Sequence, residues 1–408
     1  MRPRFPSNPD PQPCYAAILP VAGSVVALAL VAGAPQQARA AAIERTVPST
    51  VRLLFEDGLY GEIGLTYADP DQSGSGANTA ALGTPALTFS GGTGDLFESH
   101  TGFSAALKGD VTDRLSWAVI FDQPYGADTR YGAGTMTSAV PGVVFSYDGT
   151  SADLKTHQIT ALAAYDLRPD VKLYGGLRVQ RLQADAAVPF VGPTGGLPGY
   201  TVDAAADWGM GYLLGAAYSR PEIALRVALT YYSAIEHTLD TKEWDGIAIP
   251  GIQAAGDTRT DVETPQSVAL EFQTGVAPKT LVFGSVRWVD WSEFAIEPPS
   301  YTASTGWPLV DYSKDWWTYN LGIGRELTES LSASVSLTYE PAVDRATTTL
   351  GPYDGRTAAT VALSYDIDRF KITGGLTYGK LGDTTNLLET DFDDGSFWAA
   401  GLRVGYSF

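Results

Sequence analysis

The sequence predicts an all-β protein, a 14-stranded antiparallel transmembrane β-barrel. Three observations predict it. Short stretches of period-two alternation recur from about residue 58 to the C-terminus. The connections between them alternate strictly between short and long. The chain stops on an aromatic, alternating strand ending at Phe408. Alternation with one apolar face marks a strand with two different environments. Even strand number with short turns at one end and long loops at the other is the pattern of an outer-membrane barrel.

In chain order, residues 1–40 read as a cleaved signal peptide. Arg2 and Arg4 give a positive start, residues 15–34 are apolar or small, and Ala38-Arg39-Ala40 is a small-x-small cleavage site. Pro20 and Pro35 interrupt the run, which argues against a membrane anchor. Cleavage removes Cys14, the only cysteine, so the exported fold does not depend on disulfides. It also makes the net charge more negative than the −19 of the whole chain, because three arginines and one acid are lost. Residues 41–57 are expected to form the lumenal plug, and residues 58–408 the barrel.

The barrel strands are expected near 58–68, 99–111, 114–124, 153–167, 171–184, 207–219, 222–235, 259–275, 280–294, 312–327, 330–340, 355–366, 369–380 and 396–408. In the first, Leu59, Ile63, Leu65 and Tyr67 share a face opposite Tyr60, Glu62 and Thr66. In the last, Trp398, Leu402, Val404, Tyr406 and Phe408 point outward. Short connections such as Thr112-Asp113, Arg220-Pro221 and Ile367-Asp368 alternate with long ones at 69–98, 125–152, 185–206, 236–258, 295–311, 341–354 and 381–395. A soluble sandwich gives no reason for this rule, whereas closure satisfies every backbone group in lipid. Aromatics near strand ends, among them Trp117, Tyr165, Tyr218 and Tyr339, fit interfacial girdles.

Composition agrees. By length alone, 408 residues suggest two or three domains, but abundant Tyr, Phe, Trp, Thr, Val and Gly favour one large β domain. Mean hydropathy near zero excludes a bundle of membrane helices. The acidic balance argues against nucleic acid. His100, His157 and His237 are too few and scattered for a metal cluster, and no motif supports a Ser-His hydrolase. No cofactor is expected, and the protein is not expected to be an enzyme. Asp391, Asp393 and Asp394 lack calcium-loop spacing and are read as a solvated face.

The chain resembles the FadL/TodX family of outer-membrane long-chain fatty acid and hydrocarbon transporters. The resemblance rests on residues 115–128, from Leu115-Ser116-Trp117 through Asp122-Gln123-Pro124-Tyr125-Gly126 to Asp128. It rests also on Thr264-Pro265-Gln266-Ser267-Val268 followed by Val289-Asp290-Trp291-Ser292-Glu293-Phe294, and on Asp315 to Gly322. It implies a 14-stranded barrel in the outer membrane of a Gram-negative bacterium, a plugged lumen, and a kinked third strand that opens laterally toward lipid. Recognition of the Phe408 strand by the barrel-assembly machinery is implied too. The family's Asn-Pro-Ala-Gly hatch stretch has no counterpart here.

Uptake of an amphipathic molecule needs an apolar surface for the tail, a cation for any carboxylate, and a route past lipopolysaccharide to outer-membrane lipid. Phe190, Val191 and Leu197 in one long loop, with Trp244, Ile247 and Ile249 in the next, are apolar where solvent favours polar residues. They are read as a capture groove, or as a lid packed on itself. Strand parity turns Arg178 and Arg287 into the lumen, where each meets a ligand carboxylate or a lumenal acid such as Glu62, Asp110, Asp122 or Glu271. Asp122, Gln123, Pro124, Tyr125 and Gly126 are the candidate lateral gate, because Pro cannot donate to a ladder. The expected function is passive uptake of hydrophobic molecules, long-chain fatty acids first. Monoaromatic or alkane hydrocarbons are the alternative within the family, and a general porin for small polar solutes is the alternative outside it.

Overall fold

The computed structural model describes residues 43–46, 50–78, 88–132, 134–138, 144–190, 197–245, 256–312, 314–343, 348–386 and 388–408. The expected signal peptide lies outside the described residues. Fourteen strands form the wall: β1 (Tyr60–Asn78), β2 (His100–Thr112), β3 (Leu115–Asp122, resumed as Gly126–Arg130), β4 (Ser151–Arg168) and β5 (Val171–Phe190). Then follow β6 (Leu197–Arg220), β7 (Leu225–Tyr232, resumed as Ile235–Asp245), β8 (Asp257–Thr264, resumed as Ser267–Ala277) and β9 (Thr280–Val289). The last five are β10 (Trp316–Glu326), β11 (Leu331–Glu340), β12 (Arg356–Ile367), β13 (Phe370–Leu381) and β14 (Asp391–Ser407). Each pairs antiparallel with its neighbours, and β1 closes the ring on β14 from Tyr60↔Ser407 to Ser75↔Asp391. A closed ladder leaves no edge inside the bilayer.

Alternation decides the two surfaces. Leu65, Leu177, Leu214, Leu321, Leu337, Leu376 and Leu402 are exposed around the outside, with Tyr165, Tyr218, Tyr378 and Trp398 toward the ends of their strands. The opposite parity is buried in the lumen and is smaller or polar: Ala164, Arg178, Ser334, Ala362 and Thr373. Such a surface is what lipid outside and a packed lumen inside require. The short turns use left-handed residues, Lys279 (φ 58°) before β9 and Asp368 (φ 52°) before β13.

Several strands run well past the expected membrane segments. β1 continues to Asn78, β5 to Phe190, and β6 starts at Leu197, so much of the expected long loops 69–98 and 185–206 is strand. Beyond the apolar belt the outward face turns polar, and the hydropathy signal fades while the ladder continues.

The N-terminal segment lies inside the ring. A short helix α1 (Thr50–Leu53) puts Val51, Leu53 and Leu54 against Ala118, Leu162, Tyr174 and Ala228. Arg52 pairs with Glu62 of β1, and the Arg226 guanidinium lies over the Phe55 ring at 3.6 Å. These contacts fill the lumen toward the end where the short turns lie.

Candidate transport cavity and breaks in the wall

The wall is not uniform. Several strands change parity part-way along, β14 among them, where Phe392 and Phe397 both face inward across a bulge at Asp394 (φ 57°). In β3, Ala118 and Asp122 face the lumen before Pro124, and Thr129 does after it. In β7, Ala228, Thr230 and Tyr232 give way to Ile235, His237 and Leu239 across Ser233-Ala234. In β8 the change falls at Pro265-Gln266, between Thr264 and Ser267. In β6 a bulge between Ala204 and Asp207 turns Val202 and Ala204 inward while Trp208 and Met210 point out. One extra residue in a strand flips every side chain beyond it.

The β3 break opens the ladder. β2 and β3 pair only as far as Ala105↔Phe121. Beyond it the Phe103 amide donates to the Gln123 Oε1 side chain at 2.9 Å instead of to backbone. β3 resumes on β4 at Gly126↔Lys155, and its other edge is shared. Residues 96–98 pair with its upper part, where Glu98 N donates to the Asp128 carbonyl (3.0 Å) and Arg130 N to the Leu96 carbonyl (2.8 Å). The N-terminal segment takes the edge nearest the break. The Arg45 amide donates to the Pro124 carbonyl (2.7 Å), and the Gly126 amide donates to the Ile43 carbonyl (2.7 Å). Arg45 pairs with Asp128 and Glu44 with Arg287. The Arg45 side chain runs so close to Gly126 that a Cβ there would lie 2.2 Å from Nε, which only glycine avoids.

A buried polar layer lies beside this junction. Gln158 donates to Asp122 (3.2 Å) and accepts from Arg178 (3.0 Å) and Gln180 (3.1 Å). Arg178 also donates to the Ser233 carbonyl (3.0 Å), and Gln180 Oε1 accepts from Thr264 (3.1 Å). Arg287 donates to Ser267 (3.1 Å), and Arg356 makes a two-pronged pair with Glu340 at 2.8 Å.

Toward the outer end from this layer is a narrow apolar cavity of about 50 Å³. Its wall is Ala127, Leu154, Leu182, Val202, Leu239 and Val262. Ile43 of the N-terminal segment reaches it, as do Ile296, Leu309 and Tyr312 of the long connection after β9. Next to it Trp291 stacks edge-on with Tyr125, Phe294 and Tyr312, with centroids 5.2–6.0 Å apart. The post-β9 connection carries a short helix α2 (Pro299–Thr305) and is fastened by Glu243. That carboxylate accepts from Tyr200 Oη (2.8 Å), Thr258 Oγ1 (2.6 Å) and the amides of Ser300 (3.2 Å) and Tyr301 (3.0 Å). Burial works against its charge, but these hydrogen bonds hold it below the ordinary carboxylate value. The apolar lining suits a hydrophobic ligand, which would have to widen the cavity on entry. Among the described residues no group of three or more His, Cys, Asp or Glu is placed to hold a metal ion.

A family model, outer membrane protein transport protein (OMPP1/FadL/TodX), matches residues 72–391. The chain belongs to the FadL/TodX family. A FadL homologue from Pseudomonas aeruginosa superposes with a TM-score of 0.66 at 15% identity, over 88% of this chain and 92% of that one. The toluene transporter TbuX of Ralstonia pickettii gives 0.59 at 15% identity, over 87% and 91%. The toluene transporter TodX of Pseudomonas putida gives 0.58 at 13% identity, over the same shares. Comparison with curated proteins returns no match. At these identities the superpositions speak for the fold, a 14-stranded barrel of the outer membrane.

In this FadL/TodX barrel the predicted site residues fall into three groups. Asp122, Gln123, Pro124, Tyr125 and Gly126 sit together at the β3 break, against the N-terminal segment. Arg178 and Arg287 are buried in the lumen as parity expects, but neither pairs with a barrel carboxylate. Arg287 meets Glu44, and Arg178 meets Gln158 and the Ser233 carbonyl. Trp244 is half exposed on the face of β7 opposite Thr241 and Glu243, away from the cavity. Phe190 and Leu197 are paired in register where β5 meets β6. Val191, Ile247 and Ile249 lie outside the described residues. Sequence reading missed Ile43, Glu44 and Arg45, the Gln158–Gln180 layer and the post-β9 connection. The one signal for the last was its aromatic run, Trp291, Phe294, Tyr301 and Trp307.

Proposed function

We propose that this outer-membrane channel takes up long-chain fatty acids, holding the chain in the apolar cavity and releasing it sideways at the β3 break. The observation that carries the reading is the contact between cavity and gate. Ile43 lines the cavity, its carbonyl seals Gly126, and the next residue, Glu44, is paired with Arg287. A ligand carboxylate that takes Arg287 displaces Glu44 and pulls the N-terminal segment from the edge of β3 at Pro124 and Gly126. The unladdered stretch beyond Ala105↔Phe121 is then the way out.

A second reading, uptake of uncharged aromatic hydrocarbons, is favoured by the nearly all-apolar cavity lining and by Arg287 already having a partner. Uptake of oleate and toluene into vesicles carrying the purified barrel separates the two. Oleate uptake that falls at least tenfold in Arg287→Ala while toluene is unaffected supports the fatty acid. Toluene uptake with no oleate uptake replaces it. Rapid flux of small sugars makes the protein a general porin and removes both. The outer groove is tested by Phe190→Ser with Trp244→Ser, which lowers oleate uptake if these residues capture ligand and leaves it unchanged if they form a lid.

A further inference from the structure

We propose that the seam between β6 and β7 is a second, lateral entrance to the cavity, through which a single-chain amphiphile passes tail first. This inference rests on the transport reading above and concerns a different part of the wall from the β3 break.

The lower ladder of β6 with β7 ends at Leu213↔Tyr232, and the upper ladder begins only at Ala204↔Thr241. No ladder pairing joins residues 205–211 to residues 234–240. β7 does not stray there, since Ile235 to Lys242 pair continuously with β8. Instead its chain steps past β6 as a lapped joint. A Cβ on Gly209 would lie 2.4 Å from the Glu236 carbonyl oxygen, and one on Gly211 would lie 2.7 Å from Ile235 Cγ1. Side chains replace the ladder across the joint. Tyr212 N donates to Ser233 Oγ (2.9 Å), and Thr238 N donates to Asp207 Oδ2 (3.2 Å). Ser233 N also donates to the Tyr212 carbonyl (2.9 Å), and His237 Nδ1 lies 3.4 Å from Asp207 Oδ2. These scattered contacts hold less firmly than a run of paired backbone groups.

Space lies on both sides of this joint. Inside is the apolar cavity, lined at the seam by Ala204, Leu239 and Thr241. Outside is an open depression of about 630 Å³ lined by Ala205, Asp240, Thr241, Lys242, Asp257 and Arg259. Thr241 belongs to both, so the wall is one residue thick there. Polarity falls steeply from charged outside to apolar inside. That gradient suits a headgroup resting near Lys242 and Arg259 with its tail in the cavity, and it does not suit a small polar solute. The joint straddles the edge of the apolar belt: Trp208 and Met210 of β6 are exposed and apolar on its outer face, whereas Glu236, Thr238 and Asp240 of β7 are exposed and polar. On the polar side water satisfies backbone groups that lipid would leave unmet.

The test uses Ala205→Cys with Asp240→Cys, joined by a short bismaleimide that tolerates imperfect geometry, with oleate uptake into vesicles as the readout. Cross-linking is expected to lower the initial rate at least threefold against the same variant left unlinked. Asp207→Ala, which removes the bridge to Thr238, is expected to raise the rate. Equal rates before and after complete cross-linking overturn the second entrance while leaving the transport reading intact, as does a lowered rate in a folded Asp207→Ala barrel. Wild-type protein that moves no oleate overturns the transport reading itself, and this inference with it.

Discussion

Glu44, in the N-terminal segment, is ion-paired with Arg287 near the end of β9, and both side chains are at most 5% exposed. One end of the chain is thereby tied across the lumen to the far wall, while its neighbours Ile43 and Arg45 are tied to β3. Removing one partner of a buried pair leaves the other charge uncompensated, at a cost of about 3–5 kcal/mol. Glu44→Gln is therefore expected to loosen residues 43–46 without unfolding the ring. Hydrogen exchange at the Gly126 amide, whose acceptor is Ile43, should quicken at least tenfold. Unchanged protection would show that the segment is held by its backbone bonds alone.

The Arg45 side chain occupies the space that a Cβ at residue 126 needs. Gly126→Val is expected to expel Arg45 and break its pair with Asp128. A protease site placed next to Arg45 would be cut in the variant and spared in the wild type. Equal resistance in both would mean that the segment re-seats around the new side chain.

The lapped joint makes its own demand. Gly209→Val drives a side chain into the Glu236 carbonyl and should lower barrel stability by a few kcal/mol, about the cost of overpacking. Met210→Val, one residue on and 65% exposed to the outside, should change it by less than about 1 kcal/mol. Heat-modifiability on gels compares the two. Equal midpoints would place β7 farther from β6 than the glycines imply.

Glu243 fastens the post-β9 connection over the cavity, and its value is depressed below the ordinary 4.5. A carboxylate with a depressed folded value contributes fully above its unfolded value and loses that contribution as pH falls through the folded one. The latch is therefore expected to hold at neutral pH and to release below about pH 4.5. In Glu243→Gln it should be weakened at every pH. Fluorescence of a dye at Trp307→Cys reads the release, and a wild-type signal that is flat from pH 7 to pH 3 would exclude it.

Much of the ring was legible because lipid enforces a simple rule, apolar outward at every second residue. The outward faces of β11 and β13, and the membrane-spanning parts of β1 and β14, follow that rule, and the number of strands with it. Reading failed where the rule lapses. The bulge near Ala205 and the breaks at Ser233 and Pro265 invert parity within one strand, so counting in twos from Trp208 puts Val202 on the wrong side. Pro124 and Gly126 were readable as an interruption because proline and glycine act locally. The partners of that interruption were not, since Glu44 and Arg287 are brought together only by closure of the whole ring. Gln158 and Gln180 gave no signal either, since an amide in an alternating strand looks the same facing water or a buried guanidinium.

The parity breaks have a mechanical consequence. Near the short turns every strand is gripped on both sides, and that part of the wall is a hoop. Above it, the lengths of β3, β4, β5 and β6 lie between two interruptions, the β3 break and the β6–β7 joint, and β6 rejoins β7 only from Ala204↔Thr241 to Tyr200↔Asp245. A hoop transmits load all the way round, whereas a wall interrupted on two sides gives at the interruptions. Lateral pressure from the surrounding leaflet therefore acts on this molecule unevenly, and the compliance it meets is concentrated in the four strands that cover the cavity.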